Sequence, residues 1–153
     1  MKKNIILYLK SCRHLFVILV VLSIISGCSV MMISDYDEKT DTAVTELQKQ
    51  VETFFVTVES QVGLPECKYE DHKSFYQDSK IAISAIEVRA RALPKNEITI
   101  KMVGLLNDSL NSLEELHKLG CLTPGHIAPL RSNFNSSFTA ILKLELAKKR
   151  GDG

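Results

Sequence analysis

From Ser34 onward, apolar residues return every three or four positions, the spacing that keeps one side of an α-helix turned toward a neighbour. Val44, Leu47, Val51, Phe54, Val58 and Val62 form one such stripe and predict a helix over about 35–62, with Lys49, Gln50, Glu52 and Thr53 mostly off the stripe. Asp35, Asp37 and Glu38 crowd its first turn, where negative charge complements the helix dipole, and Gly63-Leu64-Pro65 ends it. Phe75, Ser79, Ala82, Ile86, Ala90 and Leu93 predict a second helix over about 70–93, with Arg89 and Arg91 in its last turns and Pro94 as its stop. A third helix follows from Met102, Leu105, Leu106, Leu110, Leu113 and Leu116, with Asn96 able to cap it and Gly120 near its end. Ile98-Thr99-Ile100 has strand character taken alone, but three residues cannot make a sheet and the Leu-rich continuation overrides them. Leu130, Phe134, Phe138, Ile141, Leu142 and Glu145, running on to Lys148, predict a fourth helix. Thr123–Ala128 is expected to be a short turn, with the main helix beginning at Pro129, where a missing N–H costs nothing.

Four helices joined by short connections, with no Gly/Ser linker and no solenoid-length repeat, predict an all-α fold: an antiparallel up-down-up-down four-helix bundle over residues 35–150. The alternative is a first helix standing apart as a coiled-coil stalk.

The residues before the bundle follow a different pattern. Lys2, Lys3, Lys10 and Arg13 give a basic flank without an acid, Leu15 to Ile25 is a short apolar run, and Ser26-Gly27-Cys28 follows. Basic segment, apolar segment and small residues, in that order, are the features of a secretory signal. Ile25-Ser26-Gly27-Cys28 resembles the lipobox of bacterial lipoproteins. The resemblance implies cleavage before Cys28 and lipid attachment to its thiol, with residues 1–27 a signal peptide and 28–34 a lipidated tether. A single acyl chain anchors marginally, and two or three hold stably. Ser29 stands where lipoproteins retained in the inner membrane often carry Asp, so the resemblance favours the outer membrane, facing the periplasm, over the periplasmic side of the inner membrane. The competing account is an uncleaved span, because Leu15 to Ile33 carries no charge over a length able to cross a bilayer. Both accounts export the body, because the basic end stays inside.

Charge then narrows the function classes. The chain has 153 residues with 19 basic and 18 acidic side chains, but once the basic leader is set aside the remainder is weakly acidic. A weakly acidic body offers no electrostatic footing for nucleic acid.

Beyond Cys12 and Cys28, two cysteines remain, Cys67 and Cys121. In an exported protein such a pair is first a disulfide. Cys67 falls between predicted helices one and two and Cys121 between three and four, which share one end of an up-down bundle. Closing that loop is worth roughly 4 kcal/mol in the chain-entropy treatment. The same topology puts Cys28, the Pro94-Lys95 turn and Lys148-Lys149-Arg150 at the other end. There the basic residues either attract anionic head groups or simply satisfy helix dipoles.

His72, His117 and His126 surround the cysteine end, so two thiolates with two imidazoles are a competing tetrahedral metal site. Their spacing fits no compact zinc pattern, and oxidation removes the thiolates. Glu114-x-x-His117 is half of a di-iron bundle motif; its counterpart Tyr69-x-x-His72 lacks the carboxylate, which leaves an exposed polar face as the expected role. No phosphate loop, nucleophile elbow or Ser/His/acid constellation occurs, and Phe54, Phe55, Phe75, Tyr76, Phe134 and Phe138 have the spacing of core residues rather than a ligand cavity. No metal, cofactor or catalytic residue is therefore expected. In general plan the chain is similar to small all-helical lipoproteins of Gram-negative bacteria. The expected role is a non-enzymatic interaction or accessory module of the envelope, held to the membrane by lipid and engaging an envelope protein partner. The alternative is a small-ligand or metal-binding periplasmic lipoprotein.

Overall fold

A computed structural model describes residues 33–151. The expectations for Cys28, the signal segment and most of the tether lie outside these residues. Helices α1 (Glu38–Ser60), α2 (Lys73–Ala92), α3 (Glu97–Lys118) and α4 (Pro124–Gly151) account for most of it, with two 3-10 turns, Pro65–Cys67 and Tyr69–His72, between the first pair. No strand occurs among the described residues. Among them, no helix is long and apolar enough to cross a membrane.

Each helix packs on two others: α1 on α2 and α4, and α3 on α2 and α4. The connections fix the direction of each. At one pole the Ser34 N–H donates to the Lys95 carbonyl (2.9 Å) and Lys148 donates to Asn96 (2.8 Å), so the start of α1, the α2–α3 turn and the end of α4 meet. At the other pole Cys67 and Cys121 meet. The fold is thus the up-down-up-down bundle, and α1 is one of its walls rather than a separate stalk.

The core comprises Val44, Leu47, Val51, Phe55 and Val58 of α1, Tyr76, Ile83 and Ile86 of α2, Val103, Leu106, Leu110 and Leu113 of α3, and Phe134, Phe138 and Ile141 of α4. Several boundaries and faces differ from expectation. Asp37 caps α1 through its carboxylate, which accepts the Thr40 N–H at 3.0 Å, so the helix starts at Glu38, with that acid in its first turn and Asp35 and Asp37 ahead of it. Val62 lies past the end of α1 and is exposed. In α2 the buried line runs through Tyr76 and Ile83, leaving Phe75 and Ala82 half-buried. In α3 it runs through Thr99, Val103, Glu114 and His117, with Leu105 exposed. Both rotations bring inward polar groups that find partners there.

Asn96 occupies the N-cap position of α3 but makes no capping bond. Its amide turns into the bundle, donating to the Ala90 carbonyl and accepting from Ser34 and Lys148. The fourth helix starts at Pro124, not Pro129, and runs through Pro129. Burial of Leu122 and Ile127 pins that first turn, while Pro129 is exposed and forfeits one backbone bond near the helix start.

Candidate functional site

The disulfide pole is built from the α1–α2 connection and the end of α3. Cys67 and Cys121 have their sulfurs at bonding distance and Cα atoms 5.2 Å apart, joining connections separated by 54 positions. The pairing expected from topology is therefore the one present. Beside it, His117 is buried and bonded at both ring nitrogens: Nε2 to the Cys67 carbonyl at 2.8 Å and Nδ1 to the Tyr76 hydroxyl at 2.7 Å. A carbonyl can only accept, so Nε2 carries the proton and Nδ1 accepts from Tyr76. Burial lowers the His117 pKa, opposed by the bond to Cys67, and the adjacent His72 lowers it further. Burial also raises the Tyr76 pKa, keeping the phenol protonated as the donor this arrangement requires.

Glu114 and His117 were expected on an exposed polar face; both are buried. Glu114 accepts from the Tyr69 hydroxyl at 2.8 Å and from Lys80. Desolvation pushes its pKa up, but those two donors outweigh it and the carboxyl is held below its ordinary value. This half-motif therefore ties the Tyr69 turn and α2 to α3.

His72 is also buried, 5.4 Å from His117 between ring centroids. Its Nε2 faces two oxygens, Gln61 Oε1 at 2.9 Å and the Glu66 carbonyl at 3.2 Å, so it too donates there. His126 is exposed at the start of α4. With both sulfurs bonded to each other the thiolate donors of the competing metal site are consumed, and no cluster of three ligating side chains occurs among the described residues.

At the opposite pole Lys148 and Glu145 are fully buried and paired at 2.6 Å. Lys148 also donates to Asn96 (2.8 Å) and Thr99 (2.9 Å), which engages all three ammonium hydrogens. Glu145 Oε2 is buried without a hydrogen-bond partner among the described residues. Nearby, Arg89 grips Asp37 through two nitrogens. That grip is the main reason the Asp37 carboxyl falls to a pKa of about 2. Lys149 lies over the Tyr36 ring, 5.0 Å from its centroid. Of the basic tail expected at this pole, Lys148 is thus committed to the interior, leaving Lys149 and Arg150 at the surface.

A third feature escaped the sequence. A groove of about 490 Å³ runs between α1 and α2 over Phe54 and Phe75, whose rings stack with centroids 4.0 Å apart. Periodicity assigned both rings to the core. The signal that marks the groove is Glu46 and Asp78, which flank the aromatic positions without an ion partner among the described residues. The chain matches no protein-family model, and comparison with curated proteins and with solved structures finds no similar one.

Proposed function

We propose that this chain is a lipid-anchored lipoprotein of the bacterial envelope, facing the periplasm from the outer membrane and acting as a non-enzymatic interaction or accessory module. The observation that carries this reading is Ile25-Ser26-Gly27-Cys28 placed just ahead of a bundle to which Ser34 is already hydrogen-bonded. The residues from Cys28 to that point reach at most about 20 Å, so a lipid on Cys28 holds the Lys95–Asn96 pole close to the bilayer. A Cys67–Cys121 bond fits an oxidising compartment and supports the same reading. Polar side chains at both poles are engaged in holding helices together, which suits a rigid presenting surface better than a reaction centre.

The test is labelled-palmitate incorporation and membrane fractionation of the wild type and Cys28→Ser. Wild type should carry label and sediment with the outer membrane; the variant should lose label and be released or left unprocessed. Unchanged retention of the variant would replace the lipid anchor by an uncleaved span. Crosslinking in intact envelopes followed by affinity capture should then recover one specific envelope protein, and repeated recovery of none would overturn the interaction role.

A further inference from the structure

The walls of the α1–α2 groove are rich in hydrogen-bond acceptors. Thr53 and Thr57 donate their hydroxyl protons to carbonyls one turn back on α1, leaving their oxygens free to accept. Gln50 donates one amide hydrogen to Ser79, which leaves its carbonyl oxygen and its second amide hydrogen. His72, only 8% exposed, lines the groove with Nε2 committed to Gln61 and Glu66 and with Nδ1 lacking any partner among the described residues. Glu46 and Asp78 add two carboxylates without an ion partner among the described residues, and Lys49 is the one cation among the residues lining the groove. Beneath these acceptors lie the stacked rings of Phe54 and half-buried Phe75.

Such a surface complements a particular chemistry. Acceptors that outnumber the donors of Lys49, Ser74 and Gln50 call for a ligand that brings N–H groups, the carboxylates call for positive charge, and the rings call for an apolar or flat stem. The volume is that of a small-molecule site. We propose that this groove binds an organic cation, an ammonium or guanidinium group on an apolar stem, with the stem against Phe75 and the charged head between Glu46 and Asp78. The proposal is independent of how the chain is anchored. The same chemistry is offered by a free amine or amidine and by a Lys or Arg side chain of a protein partner.

Calorimetric titration of the full chain in nonionic detergent, with protein-free micelles as the blank, tests this with benzamidinium, neutral benzamide and anionic benzoate. Benzamidinium should bind about tenfold more tightly than benzamide, and benzoate should not bind. Glu46 and Asp78 are both exposed, so Glu46→Gln and Asp78→Asn leave the core untouched. Each should weaken benzamidinium about threefold, and Lys49→Gln should tighten it. A blocked Arg tetrapeptide separates the sources: tighter binding than benzamidinium assigns the groove to a partner's basic side chain, and weaker binding assigns it to a small amine or amidine. No heat from benzamidinium at millimolar concentration, equal binding of all three probes, or affinity unchanged in both acid variants would overturn the proposal.

Discussion

At the scale of single residues, a buried histidine and a buried ion pair carry testable consequences. His117 is neutral in the bundle because burial disfavours its cation, while in the unfolded chain it takes a proton near its ordinary value of 6.5. Its folded pKa is therefore the lower one. Above about 6.5 neither state is protonated and the group contributes no pH dependence. As pH falls below that value the unfolded chain binds the proton first, and stability declines until the folded ring is protonated too. Glutamine can accept from Tyr76 and donate to the Cys67 carbonyl without titrating. Urea titrations from pH 8 to 5 should accordingly show a stability loss below pH 6.5 in the wild type that is clearly smaller in His117→Gln. The Lys148–Glu145 pair gives a different signature. Removing the ammonium leaves a buried carboxylate unpaired, so Lys148→Met should cost about 3–5 kcal/mol. In Lys148→Met with Glu145→Leu the desolvated carboxylate disappears as well, and the double variant should recover most of that loss in the same denaturation assay. Failure to recover would mean that Asn96 and Thr99 depend on the ammonium more than the carboxylate does.

At the scale of elements, the number, order and direction of the helices were legible because the apolar repeat of three and four is long in each and the stops are strong. The α1 stripe of Val44, Leu47, Val51, Phe54 and Val58 is buried as expected. What was not legible is which face wins when polar residues lie beside the stripe. Thr99, Glu114, His117 and Lys148 go inside because each meets a partner from another helix, and a pattern confined to one helix carries no record of that partner. The cysteine pairing was legible for the converse reason: topology alone brings the two connections to one pole. Pro129 misled for a local reason. Proline favours the first position of a helix, yet burial of Ile127 holds the turn before it, and the proline lies exposed inside α4. An interior proline costs up to about 3 kcal/mol, less near the first turns where a single bond is lost. Pro129→Ala should therefore stabilise the bundle by about 1 kcal/mol and raise Tm by several degrees, read by thermal circular dichroism. An unchanged Tm would show that the proline's restriction of the unfolded chain offsets the bond it forfeits.

At the scale of the whole bundle, the two poles are closed by different means. One is fastened by charge and amide, with Lys148, Asn96 and Ser34 joining three helix ends. The other is fastened by one covalent bond, with His117 and Glu114 bridging the same elements beneath it. Without the bond, the core and these two bridges still hold α3 to the α1–α2 connection, so the bundle should remain folded but lose the chain-entropy contribution of the loop. In Cys67→Ser with Cys121→Ser that loss should approach roughly 4 kcal/mol, measured as a lower urea midpoint with helical circular dichroism retained in water. The loss should not be uniform. Amide exchange should rise chiefly through residues 61–72 and 119–123, which the bond clamps, and remain slow in the middle of α1 and α4, where Leu47, Val51, Phe134 and Phe138 are buried. The groove shares His72 and Phe75 with that pole, so the cysteine variant should also bind benzamidinium more weakly than wild type. Equal exchange in both halves of the bundle would mean that the two poles open as one cooperative unit, with the bond setting global stability and no local rigidity at the pole it closes.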